Sequence, residues 1–78
     1  MFAKHGLGAR KDLALRLRLA REKAELTQAQ LSELLGRPQT FISKIELAQR
    51  TLSFLDAVAI CNALHVDITT LLPDRIEN

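Results

Sequence analysis

Residues 26–38 constrain the fold more than any other stretch of this 78-residue chain. Thr27-Gln28-Ala29-Gln30 has the form of a capping box. The Thr27 hydroxyl accepts from a first-turn amide and the Gln30 side chain reaches back to the Thr27 amide. Leu31, Leu34 and Leu35 supply an inward side. Gly36 then takes a left-handed cap. This predicts a helix over about 28–35. Arg37-Pro38 follows, and proline is tolerated at a first helical position, where its missing N–H costs nothing. A third helix is expected from there to about Glu46, with Ile42 and Ile45 inward. Helices of two turns are not stable alone in water. They must pack on one another and on further helices.

The rest of the chain supplies those helices. Leu13, Leu17, Ala20 and Ala24 form an apolar stripe at helical spacing, which predicts a first helix over about 10–24. Leu15 and Leu19 fall on another face. Ser53-Phe54-Leu55-Asp56 is a second S-x-x-D start, and a fourth helix through Leu64 turns Ala57, Ile60, Cys61 and Leu64 inward. Asp67 caps a short fifth helix, Ile68 to Leu72, which Pro73 stops. Strand signals are scarce. The expected fold is all-α: a compact five-helix domain over 11–73, with a basic extension at 1–10 and a polar tail at 74–78.

Charge is unevenly placed. Residues 1–23 hold seven basic side chains against two acidic ones, and residues 24–78 hold four against seven. This suits a polyanionic partner on one face, or a solvated basic helix. No apolar run approaches the ~20 residues of a membrane span. The first residues lack a signal-like apolar core, and Cys61 is the single cysteine, so a reducing cytoplasm is expected. Two distant histidines and one cysteine do not make a structural zinc site. No nucleophile–base pair or paired carboxylates appear, so no enzyme and no cofactor are expected. The lack of Tyr and Trp argues against a protein that stacks single-stranded bases.

Two short helices joined by a turn beginning with glycine are a helix-turn-helix candidate. The pattern needs large apolar residues inward on the first helix (Leu31, Leu35), a small residue where the second crosses (Ser32), glycine in the turn (Gly36) and apolar residues facing back (Ile42, Ile45). Each is present. The other face of the second helix is Gln39, Thr40, Ser43 and Lys44, polar, cationic and able to hydrogen-bond base edges.

Leu26-Thr27-Gln28-Ala29-Gln30-Leu31 through Gly36, then Gln39 to Glu46 with its Ile-Ser-Lys-Ile-Glu, resembles the repressor/Cro-type (XRE-like) helix-turn-helix family. Leu17-Arg18-Leu19-Ala20-Arg21-Glu22 is similar to that family's first helix, and Ala63-Leu64-His65-Val66-Asp67 to its junction of fourth and fifth helices. The resemblance spans about residues 13–72. It implies a lambda-repressor-like DNA-binding domain acting as a dimeric transcriptional regulator, with double-stranded DNA as partner and no small-molecule ligand or membrane. A repressor, an antitoxin or a restriction-modification controller fits this class. The rival is a protein-interaction module that keeps the fold without reading DNA.

The resemblance also implies roles. Gln28, at the amino end of the second helix, matches a phosphate-binding glutamine. Gln39, Thr40 and Lys44 match base-facing positions of the recognition helix, and Ser43 is placed to touch backbone or base. Arg37, Gln49 and Arg50 fall where the family contacts phosphates. Arg21 and Glu46 match an ion pair tying the first helix to the end of the third. Phe41 packs beneath the helix or meets a thymine methyl, the first being preferred. Two apolar surfaces are candidates for self-association: Val66, Ile68, Leu71 and Leu72, which resemble the family's dimer interface and are preferred, and Leu15 with Leu19 on the first helix, which on that preference are covered within the chain.

Three features depart from the family. Leu47-Ala48 stands where many members have Asn-Gly, and His65 replaces a usual glycine, so left-handed turns at either place are strained. Residues 1–10 are additional: a basic arm to DNA, a lid from Phe2 and Leu7 over Leu15 and Leu19, or a disordered segment.

Overall fold

The computed structural model describes the backbone of residues 2–72 and the side chains of residues 8–72. In order, the elements are α1 (Phe2–Lys23), α2 (Gln28–Leu34), α3 (Gln39–Glu46), α4 (Phe54–Leu64) and a closing 3-10 turn, Ile68–Leu71. No strand occurs among the described residues. Pro73 and the tail 74–78 lie outside them.

α1 is longer than the apolar stripe predicts. It takes in residues 2–10, set apart from the domain in the sequence reading, as one continuous helix. Ala3, Lys4, Leu7, Ala9 and Arg10 are good helix formers, and Gly6 and Gly8 weaken a helix without ending it. No capping residue marks the start, so the sequence gives no signal there. The continuous backbone also removes the lid: Phe2 and Leu7 lie upstream on the same helix as Leu15 and Leu19, which are 53% and 55% exposed. The expectation that these two leucines are covered within the chain is therefore corrected.

The local start signals are realised. Thr27 Oγ1 accepts from the Gln30 amide at 3.0 Å, and Gln30 Oε1 accepts from the Thr27 amide at 2.8 Å. Ser53 accepts from the Asp56 amide at 3.1 Å, and Asp67 from the Thr69 amide and hydroxyl, both at 2.9 Å. Pro38 sits one residue earlier than expected, as the extended residue preceding α3. The fifth element is a 3-10 turn with Leu72 already extended.

All four α-helices end in the same way. The residues at 25, 36, 48 and 65 are left-handed, with φ of 62°, 68°, 60° and 59°. Each amide there bonds three residues back (Glu25 to Glu22, Gly36 to Glu33, Ala48 to Ile45, His65 to Asn62), and the next amide bonds five back. This is the Schellman closure. Only Gly36 adopts it without steric cost; Glu25, Ala48 and His65 each carry roughly 1–2 kcal/mol of strain. The left-handed turns at Ala48 and His65 thus form, with the strain expected of a non-glycine residue.

The core gathers Leu17 from α1, Leu31 from α2, Phe41, Ile42 and Ile45 from α3, Ile60, Cys61 and Leu64 from α4, and Leu71. α2 packs on α3, and α1 crosses α3. Ser32 is buried at the crossing, as the motif requires of a small residue; its hydroxyl has no partner among the described residues. Two stripe assignments fail. Ala24 is exposed because α1 has ended by then, and Leu34 is 62% exposed on the side of α2 that no helix covers. Ala14, outside the predicted stripe, is buried instead. Cys61 is a buried core thiol whose pKa is pushed up by desolvation and by the nearby Asp67 charge, which keeps it protonated.

Candidate nucleic-acid interface

α3 presents two chemically distinct sides. Phe41, Ile42 and Ile45 face the core, while Gln39, Thr40 and Lys44 are exposed and Ser43 is half-buried. Ser43 Oγ donates to the Thr40 carbonyl at 3.3 Å. The predicted base-facing residues therefore share one open side of one helix. Phe41 takes the packing role preferred for it.

The flanking residues come from three other places. Arg37 lies in the turn before α3, Gln49 and Arg50 in the connection after it, and Gln28 at the start of α2. Arg37, Gln49 and Arg50 are exposed, and Gln28 is half-buried. Arg37 Nη2 donates to Asp56 Oδ1 at 2.8 Å, an ion pair the sequence reading missed because 19 residues separate the partners. Asp56 therefore turns to Arg37 rather than completing a reciprocal capping box with Ser53. The Arg37 and Arg50 guanidinium carbons lie 4.3 Å and 4.9 Å from the centroid of the Phe41 ring, within cation–π range.

Glu46 fixes α3 to α1. Arg21 Nε donates to Glu46 Oε2 at 2.7 Å and Nη2 to Oε1 at 3.0 Å, a two-point pairing. Arg21 Nη1 donates to the Leu26 carbonyl at 2.8 Å, at the bend where α1 ends. Gln28 Nε2 donates to Glu46 Oε1 at 3.0 Å. The side chains are 11% and 4% exposed, so the charges are largely desolvated and each donor is matched. The Glu46 hydrogen bond raises the Arg21 pKa against the opposing pull of burial. The pair is seen where the resemblance implies it, and Gln28 joins it.

The proposed dimer residues are divided. Leu71 is 5% exposed and belongs to the core, so its side chain is turned from any partner. Val66 and Ile68 are half-buried against the core, and Leu72 is exposed. Phe54 and Leu55, in the first turn of α4, are the most exposed large apolar side chains among the described residues. They went unnoticed because their positions are fixed by where α4 packs. Leu15 lines an open groove with Lys11, Ala14, Arg18, Glu46, Leu47 and Ala48. Among the described residues no three metal-ligating side chains cluster, and no helix is long and apolar enough to cross a membrane.

A helix-turn-helix domain family model matches residues 12–72. The match covers most of the chain, and the chain belongs to this helix-turn-helix family. A comparison with curated protein sequences gave no match. Among solved structures, the restriction-modification controller protein C.AhdI from Aeromonas hydrophila is similar, with 25% identity and a TM-score of 0.77 over 81% of this chain and 96% of that one. A hypothetical transcription factor, NHTF, from Neisseria shares 26% identity and a TM-score of 0.77 over 82% of this chain and 74% of its own. The clp gene regulator ClgR from C. glutamicum, at 23% identity and the same TM-score over 82% and 83%, shares the fold.

Proposed function

We propose that the protein is a sequence-specific regulator of transcription that binds double-stranded DNA as a symmetric dimer at a palindromic operator. The observation that carries this reading is the division of α3. Its apolar residues are spent on the core, and Gln39, Thr40, Ser43 and Lys44 are left together on an open side. In the major groove such a side chain set offers amide, hydroxyl and ammonium groups to base edges, which apolar groups do not. Gln28 at the start of α2 and Arg37, Gln49 and Arg50 in the segments before and after α3 would meet the phosphates, setting register without reading sequence. Glu46, held by Arg21 and Gln28, keeps α3 at a fixed angle to the rest of the domain. The similarity to a restriction-modification controller supports a small regulator of this class; repression is the mode we favour for it.

Dimerisation follows from the small reach of one α3, which spans too few base pairs to select a site. Paired domains read half-sites about 34 Å apart. The surface we favour is formed by Leu72 with the exposed parts of Val66 and Ile68, and Leu71 supports it from within.

The test is the salt dependence of binding to duplex DNA. With two or three cations per protomer on phosphates, a dimer neutralises roughly 4–6 charges, and log K falls against log[salt] with a slope of about −4 to −5. A flat slope overturns the reading.

A further inference from the structure

Phe41 stands among hydrogen-bonding residues on α3 but offers no hydrogen bond of its own. What distinguishes it is its neighbours: the Arg37 and Arg50 guanidiniums both approach its ring, from the turn before α3 and the connection after it. Those distances place the two charges no more than about 9 Å apart across a shared ring. The ring itself is buried in the core and so is fixed to α3. Long arginine side chains on two connecting segments otherwise lose much rotamer freedom when they bind an anion. A guanidinium resting on an aromatic face is attracted to the ring quadrupole and has fewer places to go.

We propose that Phe41 is a positioning residue that holds Arg37 and Arg50 as a single clamp for the DNA sugar-phosphate backbone, coupling the placement of both charges to the orientation of α3. This rests on the DNA-binding reading above. Asp56 completes the device. It pairs with Arg37 in the free protein and must yield part of that contact when a phosphate arrives. Phe41 itself touches no DNA; its effect is exerted through the two arginines.

A thermodynamic cycle tests this directly. Binding to duplex DNA is measured for the natural protein, for Phe41→Leu, for the double variant Arg37→Ala/Arg50→Ala, and for the triple variant. Phe41→Leu should weaken binding about tenfold in its own right and change nothing when both arginines are gone, because the cycle isolates what passes between the residues. An unchanged tenfold effect in the triple variant would show that Phe41 acts only through core packing and would overturn the proposal. NMR of the free natural protein gives a second readout, independent of variant stability and of DNA. The side-chain protons of Arg37 and Arg50 should both be shifted by the ring current of Phe41, and their absence from the shielded region would also overturn the clamp. Shifted arginines in a protein that binds no duplex at all would refute the DNA reading and, with it, the phosphate role. Binding with unshifted arginines would refute the clamp alone.

Discussion

Gln28 Nε2 donates to Glu46 Oε1 at 3.0 Å, the oxygen that also accepts from Arg21 Nη2. A residue proposed to touch phosphate is thereby tied to the ion pair that joins α1 to the end of α3. On the proposed function, the second amide hydrogen of Gln28 would serve a phosphate oxygen, and one side chain would then combine backbone contact with the anchoring of α3.

Glu46→Ala should destabilise the protein far more than Glu33→Ala. Removing Glu46 strands the largely buried Arg21 and frees the Gln28 amide, whereas Glu33 faces water. Breaking a buried pair costs about 3–5 kcal/mol, and a lower-end loss of about 3 kcal/mol is expected because Arg21 keeps the Leu26 carbonyl. Glu33→Ala should stay within about 0.5 kcal/mol. Urea denaturation of the two variants checks this, and equal midpoints would remove the pair as a structural element.

Ala48→Gly and Gly36→Ala should move stability in opposite directions. Both positions are left-handed closures of equivalent helices. A Cβ at Gly36 meets nothing within 4 Å, so its cost is backbone strain alone. Relief of that strain at Ala48, less the added entropy of the unfolded chain, should raise stability by about 0.5–1 kcal/mol. Gly36→Ala should lower it by a similar amount. Thermal melts showing the same sign for both would contradict the account of the helix ends.

Sedimentation at micromolar concentration separates the two candidate self-association surfaces. Leu72→Glu should give monomers, and Leu15→Glu should leave dimers intact. Leu71→Glu should unfold the domain instead, because it places a charge in the core. Dimers that survive Leu72→Glu and dissociate with Leu15→Glu would move the interface to α1.

What was readable in the sequence is what is local. The Thr27–Gln30 capping box, the Ser53 and Asp67 caps and the Gly36 closure depend on residues within five positions of one another, and each forms as written. The inward residues of α3 were legible because its period is clear over two turns. Leu34 and Ala24 were misplaced because periodicity names a face but not how much of it a neighbour covers. The long start of α1 carries no cap to announce it. The Arg37–Asp56 pair and the arginines on Phe41 join different elements, so no spacing rule reveals them. The Arg21–Glu46 pair spans 25 residues and was found only through family resemblance.

Selection of bound duplexes from a random DNA library tests the central claim most directly. The natural protein should enrich a palindromic consensus with half-site centres about one helical turn apart. Gln39→Ala and Lys44→Ala should each change the preferred base at one position per half-site, a lost two-point base contact being worth about 1–3 kcal/mol there. Gln28→Ala should weaken all sites alike and leave the consensus unchanged. Recovery of no consensus, or of one that Gln39→Ala and Lys44→Ala leave untouched, would contradict sequence reading by α3 and favour a module that binds protein through the same fold.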